Sequence, residues 1–581
     1  MKTSHFAYTL IFLCFNFSLT AQIRFSLQGS IKDSQTNEPI AYANVYNKST
    51  QQGAISNIEG YFSVPIARWS DTLEISFLGY TTLQLIPEEG KLSYNVNLVR
   101  NTRTIKEVVI QAVDDNTLYR LLGKVSAKVS AEERRAKALF QLKSFIDNSQ
   151  IELIEGYYNA TLRGPQMGEL ELKAGRLALQ PREKRSFISV ESSRAILMLN
   201  LFKSNPYFPA NPLMLGESAM RKMFRLDIQS FDVDGTDTIL HIAYEPKSSQ
   251  SDAFMGEIWV NPRTYQLQKI TLLVKSASRH PFVALFRSDS IAGVDMSITV
   301  NMQLQNKKSV FHYTYFDYQV NYLSRKYQER IDTLRVRTEA VLYAYKLDKT
   351  FNSPLFDLDQ QMSDYRKIMA FPHNDFFWNR NYEYRLGDSI NTNEQFYNDL
   401  ASITNRQDLS KSQFKQLNIF EHPYRQWSEQ RVAIRPSNPN QLNQRYADPF
   451  LANQYNLVVQ LFADLHEVDG QPHIISAAIF DPYNSFFHLP MDAKAMCFIN
   501  LYFDLWELER RQMEKSLFGF KGTFQEFAQI YKVHRTQMER EAAEFLKSTQ
   551  RGTQEVAMRF YNEKVRKVLG IDNIALFNPY P

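Results

Sequence analysis

The sequence predicts a multidomain, β-rich chain: an N-terminal β-sandwich, a central α+β domain built on an antiparallel sheet, and a C-terminal β-hairpin followed by helices. Three observations predict it. Between residues 29 and 98, short apolar–polar alternations are punctuated by Gly, Pro and Asn. From 144 to 346 the alternating runs lengthen and fill with Tyr and Phe. After Tyr455, an Asp469-Gly470 turn signal precedes three stretches of helical spacing. A chain of 581 residues exceeds a single core and suggests about three or four domains.

Residues 1–21 read as a secretory signal peptide. Lys2 supplies the positive end and residues 6–19 a short apolar run, with Ala21 as the cleavage position. Cys14 follows Leu13, where a lipid attachment site needs a small residue, so lipidation is not expected. After cleavage Cys497 is the remaining cysteine, so no internal disulfide is expected. No later run is apolar enough for a transmembrane helix. The expected location is exported: periplasmic, or associated with the outer membrane.

Residues 22–100 are the expected sandwich. Val45 and Tyr46 precede a polar loop. Tyr61, Phe62 and Val64 follow Gly60. Leu73, Ile75 and Phe77 alternate and stop at Gly79, and Val96 and Leu98 alternate with Asn95 and Asn97. Gly29, Asp33, Pro39, Ile40, Ala43, Asn44 and Val45, then Ser56, Asn57, Gly60 and Phe62, fall in a specific order. Ile75, Ser76, Phe77, Leu78, Gly79 and Tyr80 follow, and Ile105, Glu107, Val108, Val109 and Ile110 close the pattern. This stretch resembles the carboxypeptidase-like regulatory domain, a transthyretin-like sandwich common in envelope proteins of Bacteroidetes-type bacteria. Ser56-Asn57 departs from the more usual Thr-Asp. The resemblance implies a non-catalytic module attached to envelope proteins of many kinds, and by itself it assigns no activity.

Residues 101–117 read as a polar linker, and 118–350 as the β-rich α+β domain. Within it, Leu118, Leu121, Leu122 and Val125, continued by Ala131, Ala136, Ala138 and Leu139, predict a helix over 118–143. Strands follow, among them 239–244, 256–260, 265–274 and 310–323, with a helical stretch at 193–202. The segment 257–270 resembles the hairpin of periplasmic half-barrel lipoprotein carriers. An ordinary antiparallel sheet with one helix-covered face is the preferred reading over a lipid-holding half-barrel. An outer-membrane barrel is disfavoured, because the strands are interrupted and the chain ends in helices.

Residues 351–445 are a polar, aromatic connecting region expected to place a few helical turns on the preceding sheet. Residues 446–581 form the C-terminal unit, with a hairpin at 455–480 and helices at 491–517, 523–547 and 553–569. Thr523 and Glu526 form a capping box, and Gly570 stops the last helix.

Motifs for catalysis are missing. None of the ten histidines has Glu three residues on, and there is no G-x-S-x-G elbow, phosphate loop or dinucleotide loop. Cys497 sits on an apolar helix face and reads as core. On the C-terminal hairpin a two-residue turn sets His466 opposite His473, with Asp464 on the same face. These three are the candidate metal ligands. The competing and preferred reading is polar residues at an exposed hairpin tip, with no fourth ligand evident and no cofactor expected. The aromatic strand 311–322 could stack on sugar or peptide, although sheet packing explains most Tyr-rich strands.

A net charge of +5 with no dense Lys/Arg block excludes a nucleic-acid binder. The expected function is therefore envelope-associated binding or scaffolding without catalysis, with envelope proteins or glycans as partners. The alternatives are a periplasmic hydrolase with an unrecognised site and a carrier of an apolar ligand.

Overall fold

The computed structural model describes residues 25–580, apart from 51, 58, 104–114, 130–131, 147–148, 180–191, 235–236, 249–250, 285–287, 306–307, 328–329, 358–363, 382–423, 433–454, 469–470, 482–483 and 488–490. The expected signal peptide, the closing segment 105–110 and much of 351–445 lie outside the described residues.

Seven strands form the sandwich: β1 (Phe25–Asp33), β2 (Asn44–Asn47), β3 (Gln52–Ile55), β4 (Tyr61–Ile66), β5 (Leu73–Ser76), β6 (Leu83–Leu85) and β7 (Ser93–Leu98). One sheet has the order β4-β1-β7 and the other β3-β2-β5-β6. Alternation sends Leu27 and Ile31 from one sheet, and Val45 and Ile75 from the other, into a fully buried core. Gly60 sits at φ 80°, and a Cβ there would fall 2.5 Å from the Ile31 carbonyl oxygen. Only glycine satisfies both conditions.

The central sheet has eleven strands: β8 (Thr102–Arg103), β9 (Glu133–Ile146), β10 (Ser149–Arg163), β11 (Gln166–Leu179), β12 (Phe224–Asp234), β13 (Asp237–Pro246), β14 (Gly256–Val260), β15 (Leu267–Ala277), β16 (Ser290–Gln305), β17 (Lys308–Tyr327) and β18 (Arg330–Tyr345). Their order is β11-β10-β9-β18-β17-β16-β15-β14-β13-β12-β8. Two antiparallel meanders therefore meet where β18 pairs with β9. Thr102 and Arg103, expected in a linker, instead pair with β12 and form an edge of this sheet.

One face of the sheet is filled by the chain's own helices α1 (Asp115–Ala127), α2 (Ser192–Met198) and α3 (Glu217–Met223). Leu118, Leu122, Phe208 and Met220 pack there on Leu142, Ile242, Ile270 and Ile298. The opposite face carries Leu139, Tyr157, Tyr313 and Tyr343. Helix α5 (Asp375–Arg380) covers part of it, whereas α4 (Asp364–Ala370) packs into the helix-side core through Ile368 and Ala370. Gly175 on β11 admits α4, because a Cβ there would lie 2.4 Å from the Ile368 side chain.

The helix expected over 118–143 is corrected: α1 ends at Ala127, and Glu133–Ile146 is strand β9. Ala136, Ala138, Phe140 and Leu142 line one face and Leu139 the other. Period-two burial between two partner strands overrides the helix preference of alanine.

The C-terminal unit contains short strands β19 (Arg425–Gln426), β20 (Tyr455–Asn456) and β23 (Phe486–Phe487), and the hairpin β21 (Val459–Val468) and β22 (Gln471–Phe480). The hairpin is apolar on both faces. Phe462, Ala477 and Ile479 join the core of the central sheet. Leu461, Ala463 and Leu465 pack on α6 (Ala493–Ser516), α7 (Phe524–Thr549) and α8 (Glu555–Leu569). The Thr523–Glu526 capping box opens α7, and Gly570 at φ 74° closes α8. A fourth short helix, α9 (Asn573–Phe577), is added, capped by the Asp572 carboxylate accepting from the Ala575 amide.

Candidate ligand-binding cleft

The ladder aligns one row of side chains across the sheet. Trp259 pairs with Lys269, Lys269 with Asn301, Asn301 with Tyr313, and Tyr313 with Tyr343. The sandwich touches this row at two places. The Tyr42 ring lies 5.1 Å from the rings of both Tyr313 and Tyr315. The Lys269 ammonium sits 4.3 Å over Trp259 and 5.7 Å from the Phe77 ring.

A cleft of about 840 Å³ opens beside these contacts. Its sandwich wall includes Tyr46, Phe77 and Tyr80 with the loop 76–82. Its sheet wall includes Gln268, Asn301, Gln303, His312, Tyr343 and Tyr345. Lys137, Lys346 and Lys349 line it too, and among the described lining residues there is no Asp or Glu.

Local chemistry explains these positions. His312 is the extra residue of a β-bulge, since Asn301 pairs with Tyr313 and Met302 with Phe311. The bulge puts Phe311 on the helix-covered face and Tyr313 on the cleft face. Burial pushes the His312 imidazole down to about 4, so it is neutral. Tyr80 donates to Asp33 at 2.7 Å and Arg100 donates to the same oxygen at 2.5 Å. These bonds hold the Asp33 carboxyl below the usual range and anchor Tyr80 in the wall. Lys137 projects from β9 with its ammonium 3.9 Å over the Phe351 ring. Burial, then the charges of Lys346, Lys173 and Lys349, push it down to about 8.

The three candidate metal ligands lie elsewhere. His466 does pair with His473 across the hairpin. These side chains are not exposed as expected: Asp464 and His466 are buried and His473 is half-buried. The covering comes from distant segments. Phe377 of α5 lies 5.0 Å from the His466 ring, and Phe376 stacks 4.0 Å from His473. Lys173 of β11 donates to Asp464 and, at 2.7 Å, to the Asn352 carbonyl. His466 Nε2 is 3.0 Å from the other Asp464 oxygen but lacks hydrogen-bond alignment. Burial lowers the pKa of both Lys173 and His466. Asp464 thus faces an ammonium, and His473 is turned onto a phenyl ring. Among the described residues no three His, Cys, Asp or Glu side chains group as metal ligands. The hairpin residues form a polar seam between the C-terminal unit and the central sheet.

The aromatic strand divides between two roles. Tyr313 faces the cleft, while Phe316, Tyr318 and Tyr322 pack in the helix-side core. Lys137, His312, Lys346 and Lys349 carried no local signal, because the cleft joins residues far apart in the chain.

The sandwich that forms one wall has a family. Residues 27–110 match the CarboxypepD_reg-like domain. The match leaves the remainder of the chain unassigned. No curated protein matches the chain. Among solved structures, a DUF1329 family protein from Desulfovibrio piger is similar at a TM-score of 0.19 and 6% identity, covering 40% of this chain and 93% of that one. A putative outer membrane lipoprotein-sorting protein domain from Vibrio parahaemolyticus gives a TM-score of 0.17 and 12% identity, covering 43% and 97%. A LolA superfamily protein from Nitrosomonas europaea gives 0.17 and 8%, covering 43% and 98%. TM-scores this low assign neither fold nor function. Among the described residues no helix is long and apolar enough to cross a membrane.

Proposed function

We propose that the chain is a non-catalytic binding protein of the cell envelope, which holds a glycan in the cleft between the CarboxypepD_reg-like sandwich and the central sheet. The observation that carries this reading is the lining. The half-buried rings of Tyr46, Phe77 and Tyr80 on the sandwich wall offer faces on which sugar rings stack, and the half-buried amides of Asn301 and Gln303 on the sheet wall offer paired donors and acceptors for hydroxyls. The volume suits an oligosaccharide segment. A glycoside hydrolase would need two carboxylates at the bond, and the described lining offers none. A carrier of apolar ligands would need space on an apolar sheet face, and α1, α2 and α3 fill that face.

The experiment is a titration of the purified chain with soluble envelope-type oligosaccharides, followed by tyrosine and tryptophan fluorescence. Tyr46, half-buried in the wall, is replaced by Ala. The expected result is saturable binding weakened at least about tenfold in Tyr46→Ala, in line with the loss of a stacking contact. Binding unchanged in Tyr46→Ala, or no binding by any glycan, overturns the reading.

A further inference from the structure

We infer that the glycan held in this cleft is acidic, and that Lys137, Lys346 and Lys349 read its anionic groups. The inference rests on the glycan-binding reading and names the charge of its ligand.

Three lysines from two elements meet at the cleft. Lys137 comes from β9, and Lys346 and Lys349 come from the turn that follows β18. The turn is shaped to present them. Lys346 and Asp348 take φ of 47° and 60°, and the Lys349 amide donates back to the Lys346 carbonyl at 3.1 Å. The Asp348 amide ties the turn to the Arg135 carbonyl at 2.7 Å. Asp348 is the carboxylate nearest in sequence to both lysines, and Arg134 engages it, with Nε donating at 3.1 Å. Arg134 also donates at 2.5 Å to Gln305, a lining residue. The acid of the turn is thus committed to an arginine.

Behind Lys137, the Lys173 ammonium is committed to Asp464. Lys346, Lys173 and Lys349 each oppose the charge on Lys137, and Glu467 is the smallest influence on it. Like charges gathered on a partly enclosed wall raise the local positive potential and concentrate anions. Ammonium groups suit carboxylate, sulfate or phosphate oxygens as point charges rather than as bidentate forks. The neighbouring rings and amides supply the contacts to the sugar itself.

The experiment compares four probes on the full chain at low and high salt: a neutral oligosaccharide, an oligouronate, a sulfated oligosaccharide and an acidic peptide of glutamates. The expected result is that one or both acidic glycans bind at least tenfold tighter than the neutral one, and that this preference shrinks as salt rises. The tighter of the two names the anion. Lys137→Gln should weaken acidic-glycan binding more than neutral binding and so remove most of the preference. The exposed Lys349→Gln should lower it severalfold, which keeps the test open if Lys137→Gln fails to fold. Lys532→Gln, on the remote α7, is the control. Equal affinity for neutral and acidic glycans overturns this inference and leaves the glycan reading intact. Binding of the acidic peptide alone, or of no probe, overturns both.

Discussion

Tyr42 of the sandwich rests against Tyr313 of the central sheet, ring centroids 5.1 Å apart and planes inclined at 36°. With Ile55 this contact belongs to one apolar cluster that spans the two units. An aromatic pair contributes about 0.5–1.5 kcal/mol beyond its area. Tyr42→Ala should therefore loosen the sandwich from the sheet without unfolding either. Calorimetry should show one transition separating into two. A single transition at an unchanged temperature would argue that the rings are not what joins them.

The buried Lys173–Asp464 pair makes a second prediction. The two side chains are 1% and 3% exposed. Removing one partner strands a charge, which typically costs about 3–5 kcal/mol. Asp464→Leu and Lys173→Met should each lower the denaturant midpoint strongly. The double variant Lys173→Met/Asp464→Leu should recover much of the loss. Losses that simply add in the double variant would mean the residues act separately.

Two buried imidazoles set an acid dependence. His312 is pushed down to about 4 and His466 is lowered, both chiefly by burial. In the unfolded chain both protonate below about pH 6.5. The folded chain resists those protons, so acid favours unfolding. Their contribution is intact above pH 6.5 and is lost as the pH falls toward 4. The melting temperature should fall over that interval, less steeply in His312→Gln and His466→Gln. Parallel slopes in wild type and variants would refute the assignment.

Lys137 should titrate below the exposed lysines. Burial is the first cause of its lowering to about 8, ahead of Lys346, Lys173 and Lys349, with Glu467 opposing. A free lysine titrates near 10.4. Carbon-13 methylation followed by NMR should show one dimethyl-lysine signal with a midpoint near 8, absent in Lys137→Gln. A midpoint above 10 for every lysine would contradict the burial seen here.

In the C-terminal unit Phe498 is fully buried, stacked 5.4 Å from Phe545 and edge-on to Tyr455 at 5.6 Å. Phe498→Ala should cost about 3–5 kcal/mol, measured by denaturant unfolding. A loss under about 1 kcal/mol would place the ring outside the core.

The legible parts of this molecule are the locally encoded ones. Gly60, Gly79 and the short alternations specify the sandwich because turn chemistry acts within a few residues. The Thr523–Glu526 box and Gly570 mark helix ends for the same reason. The β9 strand was illegible because Ala136, Ala138 and Leu139 fit helical spacing as well as alternation, and β10 and β18 decide between them. The burial of His466 was illegible because α5 and Lys173 of β11, distant in sequence, cover it. The cleft was illegible because its row runs across strands, from Trp259 to Tyr343, and a single bulge at His312 decides which aromatics face it. Sheet packing is the preferred reading of the aromatic strand, and only the register separates Tyr313 on the cleft face from Phe316 in the helix-side core.

The most direct test of the central claim is hydrogen–deuterium exchange of the full chain with and without the best-binding oligosaccharide. The account predicts slower exchange on both walls of the cleft, in the sandwich loop 76–82 and in the sheet segment 343–349. Protection confined to the helix-covered side, around 199–215, with both walls unchanged, would contradict it.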